Sequence, residues 1–183
     1  WSLRIEGLDG EDLVLAMEDL QALGREAHEH TLECISNSSS RAISNGIWTG
    51  LRLDGILEAL GAFHSKSHIE FRCGEGYWTY LPADVIDDGL WLVWELNGEP
   101  LAEAHGHPLR ALVSGRFGMK NPKWIGTIRF TDEPDLGFWE SRGWSDSAFY
   151  QRRKHKSPSL NHGNCCSLKK RDVFFCFAFF EPP

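Results

Sequence analysis

His28-Glu-His-Thr-Leu-Glu-Cys34 alternates with a period of two. His28, His30, Leu32 and Cys34 fall on one side, and Glu29, Thr31 and Glu33 on the other. That is the pattern of a half-buried strand, and it delivers Cys34 to the strand's end. Downstream, residues 36–45 are rich in Ser and Asn and read as a loop. Leu53, Ile56, Leu57 and Leu60 then fall at i, i+3, i+4 and i+7, followed by Gly61, which predicts a helix with one buried stripe and a glycine stop. Upstream, residues 1–7 alternate as a strand. Residues 12–23 are ambiguous, with a strand at 13–15 and a short helix at 18–23 closed by Gly24 as one reading. Farther on, residues 68–73 and 77–81 read as short strands and 82–88 as a short helix opened by Pro82. Residues 90–95 form an apolar strand before an Asn97-Gly98 turn, and 109–113 and 124–130 are further strands. Strands dominate and the helices are short, so the expected fold class is α+β, a mixed β-sheet domain with short helices.

The 183 residues suffice for one domain with a sizeable core. Charge divides the chain. Residues 1–150 hold 12 Lys/Arg against 24 Asp/Glu, a balance of −12, while residues 151–183 hold 7 against 2, a balance of +5. The acidic body argues against nucleic acid as a partner, because nonspecific binding to phosphates needs a basic surface. Domain organisation is expected to be 1–150 as the functional domain and 151–183 as an atypical basic and aromatic tail, disordered or foreign to the ancestral domain. The five cysteines (Cys34, Cys73, Cys165, Cys166 and Cys176) include no Cys-x-x-Cys, so neither a zinc ribbon nor a thioredoxin-type site is expected. No signal segment and no apolar run of membrane-spanning length is read, and the chain opens on Trp1 rather than Met, as a fragment or processed chain would. Compartment is not readable.

Three stretches can carry chemistry. Cys34 closes its strand before a polar loop, where a side chain becomes accessible and a thiolate could bind a soft metal, although a buried strand cysteine is the commoner outcome. His105-Gly-His-Pro-Leu-Arg110 places two histidines and an arginine in a Gly/Pro-shaped loop, either a solvated turn or an anion site built on the arginine fork. Gly115-Arg-Phe-Gly-Met-Lys-Asn-Pro-Lys-Trp124 offers glycines for close backbone approach and Lys120 or Lys123 to neutralise an anion, or else is a basic hairpin loop. The carboxylates Asp87, Asp88, Glu95 and Glu99 read as solvated surface. His28, His30 and Cys34 could be imagined as a zinc site, but no fourth ligand is apparent.

Taken in order, these segments resemble the sulfite-oxidase-like molybdopterin-binding domains. His30-Thr-Leu-Glu-Cys-Ile-Ser-Asn37 is similar to the family's Thr-Leu-x-Cys-x-x-Asn strand, and Ile47-Trp-Thr-Gly-Leu-Arg-Leu53 to its Trp-Thr-Gly segment. Leu96-Asn-Gly-Glu-Pro-Leu101, Ala104-His-Gly-His-Pro-Leu-Arg110, Phe117-Gly-Met-Lys-Asn-Pro-Lys-Trp124 and Gly137-Phe-Trp-Glu-Ser-Arg-Gly-Trp144 resemble four later motifs in family order. Together they span residues 1–148.

The resemblance implies a molybdenum-molybdopterin cofactor and oxygen-atom transfer to or from a small, sulfur-containing substrate. It implies Cys34 as the catalytic thiolate ligand of the metal. Asn37, Trp48, Cys73, His105, Arg110, Asn121, Pro122 and Lys123 form the implied cofactor-binding set, with His105 and Arg110 on the pterin and its phosphate. Sulfite oxidases proper carry two arginines just after the motif asparagine, where this chain has Ser38 and Ser39. A substrate less anionic than sulfite, such as a sulfoxide, is therefore expected. With no Cys-x-x-Cys-His for haem attachment, the expected electron partner is a separate haem or membrane chain. The alternative is a cofactor-free, noncatalytic member of the fold acting as a binding module.

Overall fold

A computed structural model describes residues 1–35 and 43–149. Most strands in it follow from the alternation or apolar run that precedes their turn residues. Strand β1 (Leu3–Glu6) buries Leu3 and Ile5 and exposes Arg4. The ambiguous segment resolves into β2 (Leu13–Leu15) and helix α1 (Met17–Leu23), whose C-cap is Gly24. Strand β3 (Glu26–Glu33) ends one residue before Cys34. Strand β4 (Ile43–Arg52) runs directly into helix α2 (Leu53–Ala59), which buries Leu53, Ile56 and Leu57. Strands β5 (His68–Cys73), β6 (Trp78–Pro82), β7 (Leu90–Leu96), β8 (Glu99–Pro100), β9 (Arg110–Val113) and β10 (Ile125–Thr131) complete the order.

The strands form two sheets. One has the order β2-β1-β10-β5-β6 and is mixed, because β1 and β10 run parallel while its other pairs are antiparallel. The other, β3-β4-β7-β8 with β9 also on β7, is antiparallel throughout. The main core lies between them, with Ile5, Ile69, Phe71 and Ile128 from the first sheet against Leu51, Leu92, Trp94, Ala111 and Val113 from the second. Successive side chains on a strand point to opposite faces. Trp91, Val93 and Leu112 therefore join Leu32, Trp48 and Leu101 in a second cluster on the other face of the antiparallel sheet. Strand β7 is covered on both faces, which is why it reads as an unbroken apolar run. Asn97 and Gly98, with φ of 54° and 84°, make the tight turn into β8 that their identity predicts.

Two expectations need correction. The loop read over 36–45 is strand from Ile43 onward, where Ile43, Ser44 and Asn45 pair with Glu33, Leu32 and Thr31. Asn45 accepts from Thr31 Oγ1 at 3.1 Å and donates to Glu29 Oε1 at 2.7 Å, so its polarity is met across the strands rather than by a turn. The helix read over 82–88 is only a short 3-10 turn, Ala83–Ile86. The expectation for residues 151–183, and that for Asn37, lie outside the described residues.

Candidate functional site

Strand β9 begins with Arg110, and the alternation that points Ala111 and Val113 into the main core points Arg110 to the second face. Its side chain is fully buried there. Nη1 donates to the His105 carbonyl at 3.0 Å and Nη2 to the Asn121 carbonyl at 3.1 Å, and the guanidinium lies 5.0 Å from the centre of the Trp48 ring. Burial depresses its pKa to about 9. The loop before it passes very close to Lys123. A Cβ at Gly106, where φ is +106°, would stand 3.0 Å from the Lys123 Cβ and 3.2 Å from the Arg110 Cβ. Glycine is required at this position by both space and backbone conformation.

Lys123 donates to the Ala104 carbonyl at 3.0 Å and sits 3.9 Å from the centre of the Trp124 ring. Burial and the nearby Arg110 charge bring its pKa down to about 8. His105 is also lowered, by burial and then by Arg110 and Lys123. Burial therefore holds three neighbouring basic groups below their ordinary values, and the Arg110 charge adds to it at Lys123 and His105. A cluster of this kind is relieved by an anion, and its donors suit a phosphate.

His30 brings a second strand to the same place. It is buried, and its pKa falls to about 4 through burial and the charges of His28 and Arg110, opposed by a hydrogen bond with Asn121. Its carbonyl accepts from Trp48 Nε1 at 3.4 Å. His28 stacks on Trp91 with ring centres 4.5 Å apart. Nε2 of each histidine is buried with no hydrogen-bond partner among the described residues. Cys34, half-buried, follows Glu33, whose carbonyl lies beside Gly118 at the head of the second loop.

The structure places Trp48, His105, Arg110, Asn121 and Lys123 in one neighbourhood, and the other residues singled out in the sequence have different surroundings. Asn121 is buried, and its side chain accepts from Val113 N at 2.7 Å and donates to the Arg116 and Phe117 carbonyls. It braces the loop and presents its carbonyl to Arg110. The Pro122 carbonyl accepts from Ala111 N at 3.0 Å, so it too serves the frame. Cys73 packs against the main core, and burial pushes its thiol up to about 12, so it is a neutral thiol rather than an anionic ligand. Lys120, read as an anion partner, is wholly buried in an ion pair with Glu140. Glu95, read as solvated, is buried and bridges to Arg25 at 2.6 Å. No group of three His, Cys, Asp or Glu converges as a metal site among the described residues, so the His28–His30–Cys34 zinc arrangement does not form. No helix among them is long and apolar enough to cross a membrane.

Comparison with known proteins gives this geometry a context. Residues 1–139 match the family model described as the oxidoreductase molybdopterin binding domain. The uncharacterized oxidoreductase YuiH of Bacillus subtilis is 32% identical over 145 residues, covering 79% of this chain and 72% of that protein. Mitochondrial sulfite oxidase of Macaca fascicularis is 29% identical over 161 residues, covering 74% of this chain and 30% of the oxidase. In fold, the sulfane dehydrogenase SoxCD from Paracoccus pantotrophus superposes with a TM-score of 0.66 at 24% identity, over 73% of this chain and 38% of that one.

Proposed function

The chain belongs to the oxidoreductase molybdopterin-binding domain family, and from that premise we propose that it carries a molybdenum-molybdopterin centre for oxygen-atom transfer on a small sulfur-containing substrate. The observation that carries this reading is the buried Arg110 beside Lys123 and His105, a cationic pocket of the kind a pterin phosphate fills. When bound, the cofactor supplies two-electron oxygen-atom chemistry that no side chain provides.

The protein's part is to hold and orient. Arg110 and Lys123 would grip the phosphate, with the Asn121 and His105 carbonyls fixing the direction of the Arg110 fork. Trp48, buried and packed against that guanidinium, would shield it from solvent. Cys34, at the accessible end of β3, would supply the one protein thiolate to the metal, as a soft ligand suits. Ser38 and Ser39 in place of arginines favour a substrate less anionic than sulfite. Electrons would pass to a separate protein.

Metal and pterin analysis of the chain from a cofactor-competent host tests this. About one molybdenum per chain is expected, since a resident centre co-purifies with its folded site. Absence of metal and pterin would leave the fold as a binding module. Cys34→Ser should keep the fold and lose turnover with sulfite or sulfoxide. Unchanged turnover would overturn the ligand assignment.

A further inference from the structure

The second loop is clamped from beneath by a charge pair that the cofactor reading does not use. Lys120 is wholly buried, and its three ammonium protons all have acceptors. These are Thr79 Oγ1 at 3.1 Å, the Tyr80 carbonyl at 2.7 Å and Glu140 Oε1. The same Glu140 oxygen accepts from Thr79 Oγ1 at 2.8 Å. The other oxygen, Oε2, is buried with no partner among the described residues. Glu140 reaches this position from a tight turn over residues 137–143, docked on β6 by the Phe138 N–H to the Trp78 carbonyl at 2.9 Å. A Cβ at Gly137 would collide with the carboxylate. Glu140 lies one residue beyond the matched family segment.

A buried ion pair is weak evidence for stability, because apolar replacements are often as stable. Its better-attested use is to fix one arrangement among several. Here the residue after Lys120 is Asn121, whose carbonyl holds Arg110 Nη2. Lys120 ties the turn to β6, and the Asn121 amide ties it to β9 and to Arg116 and Phe117. We propose that Glu140 is a positioning residue for the anion pocket, acting through Lys120 on the Asn121 carbonyl that orients Arg110. This rests on the anion reading of the Arg110–Lys123 pocket.

Without the Glu140 charge, the Lys120 ammonium is left buried with no counter-charge. It must lose its proton or swing out, and either change releases the 118–121 turn. The test is titration of the cofactor-free full chain with inorganic phosphate, followed by calorimetry, beside thermal melts. Glu140→Gln, nearly isosteric, should bind phosphate about tenfold more weakly, the lower end of what outer-shell partners contribute. The neutral pair Lys120→Met with Glu140→Gln should recover thermal stability but not phosphate affinity. A purely structural role predicts that affinity returns with stability. Wild-type affinity in the folded Glu140→Gln protein, or in the double variant, overturns the proposal. Failure of the wild-type chain to bind phosphate would instead overturn the anion pocket itself, and this proposal with it.

Discussion

Lys120 and Lys123 stand three residues apart in one loop and inhabit opposite electrostatic worlds. Lys120 is sealed against a carboxylate, with every proton accepted by the protein. Lys123 sits beside Arg110, where burial and then that like charge bring its pKa to about 8. The difference separates a cation paired within the fold from one that we propose binds the anion. A buried cation with its counter-charge is complete in itself. A group of buried neighbouring cations would be stabilised by an anion.

The contrast is broken most severely at Lys120. Lys120→Met should destabilise the chain by about 3–5 kcal/mol, because it strands the buried Glu140 carboxylate without its counter-charge. Lys123→Met should instead leave the chain as stable or more stable near pH 7, because burial beside Arg110 penalises the lysine charge in the folded state. Chemical denaturation of the two variants side by side checks this. Equal losses would mean that Lys123 is as structural as its neighbour.

Next in size is Arg110. Arg110→Met keeps most of the side-chain volume and removes the fork. A charged hydrogen bond is worth about 1.5–3 kcal/mol, so phosphate or cofactor retention should fall roughly ten- to 150-fold. Pterin content after gel filtration reads this directly, and full retention would remove the guanidinium from the pocket.

The same contrast shows what was legible in the sequence. Local periodicity carried β3 to Cys34, exposed the buried stripe of α2 and marked the Asn97-Gly98 turn, because each depends on neighbours a few residues away. Motif order brought Trp48, His105 and Arg110 together, and the buried guanidinium beside the indole agrees with that grouping. Long-range facts were not legible. Nothing near Lys120 announces Glu140, twenty residues on, and composition alone makes both lysines look like anion partners. The polar start of β4 read as loop because its satisfaction lies across the sheet, on Thr31 and Glu29. The burial of Cys73 against the main core, which keeps its thiol neutral, was equally invisible to local pattern. The split into two sheets likewise depends on pairings between distant strands, such as β1 with β10.

The smallest effect is the most selective for Lys123. Its pKa near 8 applies to the anion-free pocket, and a bound phosphate must raise it. Between about pH 8 and the raised value, binding takes up a proton, so phosphate affinity should fall as pH climbs through that window. One linked proton limits the fall to about tenfold per pH unit. The second ionisation of inorganic phosphate, at about pH 7, is largely complete above pH 8 and adds little to the slope there. Lys123→Arg, which stays charged, should flatten the profile from pH 8 to 9, while Lys120→Gln should leave its shape intact. Stability in the absence of phosphate moves the other way. The folded lysine releases its proton near pH 8 and the unfolded one near 10.5, so between these values the unfolded chain binds more protons and the folded state gains as pH rises. Opposite pH slopes for phosphate affinity and anion-free stability, both abolished by Lys123→Met, would mark this lysine as the cation that awaits the ligand. Parallel slopes would return it to the structural class of Lys120.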